Sequence, residues 1–145
     1  VYRVMPNTAA AVGRSMTFVA GRNNTAESDE AVKEIFENVG TVMMIEERLM
    51  TAATSLSGCG IAYIFRFIRA MQEGGVQLGF YPKDALNIVA QTMEGALKLL
   101  EANGSHPEQE IDKVTTPGGL TIKGLNAMEQ AGFTNAVIQG LTRNS

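Results

Sequence analysis

The stretch Val114-Thr115-Thr116-Pro117-Gly118-Gly119-Leu120-Thr121 holds the residue types from which an anion site is built. Pro at a first helical position gives up no hydrogen bond it needed, so the Thr116 hydroxyl can cap a helix beginning at Pro117. Gly118 and Gly119 leave the following amides uncovered. The positive end of the helix dipole lies there as well, which suits a carboxylate or a phosphate. Thr121 adds a hydroxyl within the first turn. The competing reading is a Pro-Gly turn that only starts a helix.

Other chemistry is thinly represented. The string Gly58-Cys59-Gly60-Ile61-Ala62-Tyr63 begins like a dinucleotide fingerprint but puts Tyr where close helix packing needs a third Gly. The chain contains no phosphate loop ending in Gly-Lys-Ser/Thr and no Gly-x-Ser-x-Gly nucleophile elbow. One histidine, His106, and one cysteine, Cys59, do not make a zinc site, and no carboxylates stand at ligand spacing, so no metal is expected. Cys59 reads as a small residue at a tight helix start. His106 falls in Ser105-His106-Pro107-Glu108, which fits a Ser-x-x-Glu capping box, and reads as a structural first-turn residue.

Composition sets what can carry such a site. The 145 residues are 45% apolar and 19% charged, the proportions of a globular domain able to bury a core. A net charge of −3 offers no field for a nucleic-acid backbone. No apolar run approaches the roughly 20 residues needed to cross a bilayer, so the expected location is cytoplasmic. A lone cysteine cannot form an internal disulfide, which fits a reducing compartment.

Along the chain, residues 1–48 differ from the rest. Short β-prone runs occur at Tyr2–Met5, Met16–Val19 and Thr41–Ile45. One helix interrupts them, starting near Ser28 with Asp29 and Glu30, carrying Val32, Ile35, Phe36 and Val39 at helical spacing, and ending at Gly40. Such a strand-helix-strand unit belongs to a parallel sheet, and so few elements cannot bury both faces of one. Because Val1-Tyr2-Arg3-Val4-Met5 also reads as a strand already under way, a preceding segment is expected.

Beyond Leu49 the chain reads as mainly α, with five helical stretches. The first starts near Thr51 or Ile61 and runs to Gln72; only Arg66, Arg69 and Glu73 interrupt its apolar surface, so it should be buried nearly all round. Pro82 opens the second, where Ala85, Leu86, Val89, Met93, Leu97 and Leu100 share a face until Asn103-Gly104. A short helix to Ile111, one marked by Ile122, Leu125 and Met128, and a last one through Ala136, Val137 and Leu141 complete the set. Met43, Met44, Met71, Met93 and Met128 read as core gap fillers, and Gly74, Gly75 and Gly95 as turn points or places of close backbone approach. So much apolar helix surface predicts an interleaved homodimer.

Five motifs stand together in order and spacing: Arg3-Val4-Met5-Pro6-Asn7-Thr8, Leu56-Ser57-Gly58-Cys59-Gly60-Ile61-Ala62-Tyr63, His106-Pro107, Val114 to Thr121, and Gly132-Phe133. In this the whole chain resembles pyrroline-5-carboxylate reductase. The resemblance implies that residues 1–48 are the end of a Rossmann-type cofactor domain and 49–145 a helical dimerisation and substrate-binding domain. It implies hydride transfer from NADPH or NADH to 1-pyrroline-5-carboxylate, giving L-proline, the last step of proline synthesis. The Thr116, Gly118, Gly119 and Leu120 loop would hold the substrate carboxylate, and the catalytic Thr121 hydroxyl would bond the ring nitrogen. Asn7 would lie near the nicotinamide; its other reading is an Asn that closes a strand into a turn. Without the dinucleotide-binding half this stretch would be inactive alone, and the residues that select NADPH or NADH are not in it.

Ile61 stands where the family usually has Pro, Cys59 where Ser is common, and Ala9 where Pro is frequent. Without Pro at position 61 the helix before it can run through. Two other functions compete: a non-catalytic helical dimerisation module, and a carboxylate binder without hydride transfer.

Overall fold

The structure, a computed structural model, describes residues 1–143; 144 and 145, the end of the expected helical part, lie outside the described residues. The chain forms two packed units, one of Val1–Ile64 with the stretch from Gln139, the other of Phe65–Ile138.

In the first unit, β1 (Tyr2–Met5), β2 (Ser15–Gly21) and β3 (Gly40–Met44) make one sheet in that order. The expected parallel unit is β2, helix α1 (Ala26–Glu37) and β3, with Ser15 beside Gly40 and Val19 beside Met44. β1 instead runs antiparallel to β2, with Tyr2 beside Gly21. A parallel crossover needs a dozen or more residues, and 6–14 hold only a single short 3-10 turn, Thr8–Val12. Strand β2 is buried at Ser15 and from Thr17 to Ala20, with Met16 half-buried, the near-continuous burial of a strand covered on both faces.

Helix α1 begins at Ala26, two residues before the expected Ser28. Thr25 is the cap: its hydroxyl accepts from Ser28 N–H at 3.2 Å, and Ser28 Oγ accepts from Thr25 N–H at 3.0 Å. Ser28 is thus the second half of a capping box. Asn38 closes the helix, and Gly40 opens β3 rather than stopping α1. Its φ of +149° and the Ser15 backbone, with which a Cβ would collide, both demand glycine. The Tyr2 hydroxyl then ties β1 to α1, donating to Asp29 at 2.6 Å.

The core of this unit is Phe18, Ala20, Met50 and Ala53, with Met5, Met16 and Ile45 packed against it. Met50 is 1% exposed, and burying a side chain of that size contributes about 1.5–3 kcal/mol. It comes from α2 (Met50–Ala53), which continues without a break through a widened, π-helical turn at Thr54–Cys59 into α3 (Gly60–Gln77). Ala53, Thr54 and Gly60 all keep right-handed helical angles, so the helix does run through the position of Ile61. The expected start of this helix, Thr51 or Ile61, and its end, Gln72, are corrected to Met50 and Gln77.

The second unit holds the rest of α3, then α4 (Pro82–Asn103), α5 (Pro107–Lys113), α6 (Leu120–Gln130) and the first part of α7 (Phe133–Thr142). Gly74 and Gly75 lie inside α3, not at its end. A Cβ on Gly75 would stand 3.0 Å from Ala85 Cβ, so this is the close approach between α3 and α4; Gly74 and Gly95 face open space. Phe67 and Phe133 join α3 to α7 with ring centres 5.8 Å apart. Among the described residues of 65–138, only Ala85 and Val89 are buried.

Two burial expectations fail within this chain. Ile64 and Phe65 are 51% and 63% exposed in the helix expected to be buried all round. Of the methionines read as core, Met43, Met71 and Met128 are exposed and Met44 and Met93 half-buried, while the buried methionine, Met50, was not among them. Helical spacing shows that a face is apolar, not whether the same chain covers it.

Candidate functional site

The loop between α5 and α6 begins at a fixed base. Glu110, in α5, accepts hydrogen bonds from Ser105 Oγ, Lys113 Nζ (2.9 Å) and Asn103 Nδ2 (3.0 Å). These three bonds, led by Ser105, hold its carboxyl down to about 2. They also correct the expected capping box, because Ser105 spends its hydroxyl on Glu110. The cap of α5 is His106, whose Nδ1 accepts from Glu108 N–H at 3.2 Å, with Gln109 reaching back to the His106 N–H. His106 is structural, as its sequence setting indicated.

After α5 the Thr115 hydroxyl turns back, within 3.2 Å of the Ile111 and Asp112 carbonyls, and ties the loop to the end of that helix. Thr116-Pro117-Gly118-Gly119 then form a tight turn, closed by Gly119 N–H donating to Thr116 C=O at 3.0 Å. Pro117 is the second residue of this turn. Gly118 is the third, at φ +69°, the position that asks for glycine. The helix therefore starts at Leu120 and not at Pro117, and Thr116 is not its cap. Pro117 and the Gly118 that follows it make a better turn than a first helical turn, because a positive φ cannot be helical.

The correction strengthens the anion reading. The cap of α6 is Gly119, with φ −70° and ψ 173°, and no side chain bonds the first amides of the helix. Leu120, Thr121 and Ile122 thus enter α6 with N–H groups that have no intrahelical acceptor. Leu120 is 88% exposed, and Thr121 is exposed with its hydroxyl in no hydrogen bond among the described residues. Bare amides, the dipole end and a hydroxyl in the first turn can hold a carboxylate and bond a neighbouring polar atom. Of the predicted residues, Thr116, Gly118, Gly119, Leu120 and Thr121 come together here.

Asn7 belongs to the other packed unit. Its Oδ1 accepts from Ala9 N–H at 3.1 Å, which caps the 3-10 turn after β1, and its Nδ2 donates to Ser57 Oγ at 2.9 Å. Asn7 does close a strand into a turn, and it also lines an open groove of about 510 Å³ with Ser57, Met16, Met43, Leu56 and Ile64. Its lining joins apolar side chains to one amide, one hydroxyl and the Arg14 guanidinium, a mixture that can take the ring end of a nicotinamide with its carboxamide. A cradle for dinucleotide phosphates is not found among these residues: Gly58-Cys59-Gly60 lies inside the continuous helix. The sequence reading missed Ser57 as a partner of Asn7. The hydroxyl-rich run Thr54-Ser55-Leu56-Ser57 was its only trace.

Among the described residues no group of three or more His, Cys, Asp or Glu could hold a metal ion, and no helix is long and apolar enough to cross a membrane.

Comparison with known proteins gives one consistent result. Residues 47–144 match the family described as pyrroline-5-carboxylate reductase dimerisation. Pyrroline-5-carboxylate reductase 1 of Dictyostelium discoideum is 45% identical over 157 aligned residues, covering 100% of this chain and 28% of that protein. The Methanosarcina acetivorans enzyme is 46% identical, covering 99% of this chain and 55% of the relative. A solved Streptococcus pyogenes 1-pyrroline-5-carboxylate reductase superposes with a TM-score of 0.95 at 32% identity, over 99% of this chain and 56% of that one. A Plasmodium falciparum pyrroline carboxylate reductase, solved with NADP bound, gives 0.93 at 30% identity, over 99% and 58%. The chain spans about half the length of most of these relatives. On the match across residues 47–144 and the whole-chain likeness, the chain belongs to the pyrroline-5-carboxylate reductase family.

Proposed function

We propose that these residues are the substrate-holding and dimerising part of an enzyme that reduces 1-pyrroline-5-carboxylate to L-proline with NADPH or NADH. The observation that carries the reading is the uncapped start of α6, with Thr121 and its unused hydroxyl in the first turn. The reduced nicotinamide supplies the hydride that goes to the imine carbon. What these residues do is hold and aim. The Leu120 to Ile122 amides, after the Thr116 to Gly119 turn, take the carboxylate and so fix one end of the ring. The Thr121 hydroxyl bonds the ring nitrogen, which becomes the amine of proline. Hydride transfer to an iminium needs no strong side-chain base, and positioning supplies most of the effect.

In this reading residues 1–48 end a Rossmann-type cofactor domain, with Asn7 against the nicotinamide, and 49–145 form the helical domain. Two such helical domains pair as a homodimer. The support is energetic: residues 65–138 bury only Ala85 and Val89 within the chain, too little apolar burial to hold five helical segments together. The single free cysteine fits a cytoplasmic protein.

The test is an assay of the full-length gene product carrying this sequence, following oxidation of NADPH or NADH. Oxidation that depends on pyrroline-5-carboxylate supports the reading, as does a turnover lowered about tenfold or more in Thr121→Ala with the dimer intact. A product that consumes no reduced cofactor with this substrate overturns it, and leaves a non-catalytic dimerisation module in its place.

A further inference from the structure

The motif around Ser57 has no part in holding the carboxylate, yet the backbone is reshaped there. From Met50 to Gln77 the continuous helix departs from α geometry only at Thr54–Cys59, where the turn widens to i→i+5 bonding. Such turns are rare and cluster at functional sites. Thr54 contributes to the local geometry: its hydroxyl donates to the Met50 carbonyl at 2.8 Å and lies 2.6 Å from Met5 Sδ at the end of β1. Ser57, one turn further on, receives Asn7 Nδ2 at 2.9 Å from a residue fifty positions earlier.

We infer that Ser57 is a positioning residue, set by the widened turn to hold the Asn7 carboxamide in one orientation at the groove. The inference rests on the reading of Asn7 as the nicotinamide-side residue. A serine hydroxyl can donate or accept, so by itself it would tolerate either flip of the amide. The Ala9 N–H removes that freedom: it needs an acceptor and receives Oδ1 at 3.1 Å. With Oδ1 so fixed, Nδ2 must face Ser57, which leaves one N–H of Asn7 for a ligand and the Ser57 proton free to donate. Asn7 N–H bonds Ser15 Oγ at 3.1 Å, so the backbone beneath the side chain is tied to buried Ser15 as well. Together the two bonds to its side chain leave the Asn7 amide little freedom.

The experiment is a double-mutant cycle of Ser57→Ala and Asn7→Ala in the full-length gene product. NADPH binding is read by the change in its own fluorescence, and kcat and KM for pyrroline-5-carboxylate are read beside it. Loss of the hydroxyl should weaken NADPH binding or kcat by about tenfold, with KM for pyrroline-5-carboxylate unchanged, since the α6 cradle is untouched. On an Asn7→Ala background the same change should cost nothing further. Ser57→Thr should restore most of the loss, and Ser57→Cys, which fills the space but accepts poorly, should not; Cys replaces Ala in the cycle if that variant does not fold. An undiminished effect of Ser57→Ala on the Asn7→Ala background overturns the inference, as does no effect at all. If Asn7→Ala itself changes neither binding nor turnover, the Asn7 reading fails and Ser57 with it, while the reductase reading stands on the pyrroline-5-carboxylate assay.

Discussion

Gly119 and Thr116 are in contact across the turn that precedes α6: the Gly119 N–H donates to the Thr116 carbonyl at 3.0 Å, and a Cβ on Gly119 would stand 2.5 Å from Thr116 Oγ1. A side chain on the residue that caps the helix therefore requires Thr116 to shift, while its extended backbone is one that any residue adopts. Space, not conformation, favours glycine here. Gly119→Ala should push the Thr116 side chain and part of the turn aside and move the first amides of α6. The expected result is KM for pyrroline-5-carboxylate raised about fivefold or more, with cofactor binding and dimer unchanged, read by steady-state kinetics.

Glu110 gives a pH dependence of known sign. Its carboxyl is held at about 2, against an ordinary value of 4.5, by Ser105 first and then by Lys113 and Asn103. A depressed folded-state pKa contributes stability that is complete above the unfolded value and is lost as pH falls toward the folded one. The stability difference between the protein and Glu110→Gln should therefore be present above about pH 4.5 and shrink as pH is lowered toward 2. Urea unfolding midpoints of both proteins across that range measure it. A difference that stays constant with pH would mean that the charge of Glu110 does not matter.

Asp29 offers an independent comparison in the other unit. Its carboxyl is lowered, chiefly by the Tyr2 hydroxyl and then by Asn24. Tyr2→Phe removes that donor and the tie from β1 to α1, so Asp29 should titrate closer to the ordinary carboxylate range, seen by its side-chain carboxyl resonance. The protein should lose stability in the same pH direction as for Glu110.

The exposed apolar helices lead to a prediction about assembly. Phe65 is 63% exposed and Leu97 59%, each on a long helix with almost no buried residue of its own unit. Covering side chains of this size contributes about 1.5–3 kcal/mol apiece. The gene product should be a dimer at micromolar concentration, and Phe65→Glu should shift it toward monomer by light scattering. A variant that stays dimeric would place the interface elsewhere.

Sequence legibility followed locality. The ends of α4 could be read because Pro82 and Asn103-Gly104 act within one turn, and β2 because Met16-Thr17-Phe18-Val19 is a run of β-prone residues. The antiparallel β1 was missed although its ground lay in the sequence: the 6–14 link is too short for a parallel crossover, and the strand-helix-strand pattern drew the reading toward a parallel sheet. The start of α6 was misread because Pro117 serves equally well as the first helical residue and as the second residue of a turn, and Gly118 at φ +69° settles it only in the folded chain. The loop residues do sit together at a helix start, but not by the local route expected: the amides belong to a helix capped by Gly119, not by Thr116. Asn7 could be seen as a strand-end residue, but Ser57 lies fifty positions away, and nothing local points from one to the other.

The most direct measurement of the central claim is a crystal structure of the full-length gene product with L-proline, the reaction product. The account predicts the carboxylate oxygens within about 3.2 Å of the Leu120 and Thr121 amide nitrogens, and Thr121 Oγ at a similar distance from the ring nitrogen. Proline bound away from the start of α6, with only solvent at those amides, would contradict it.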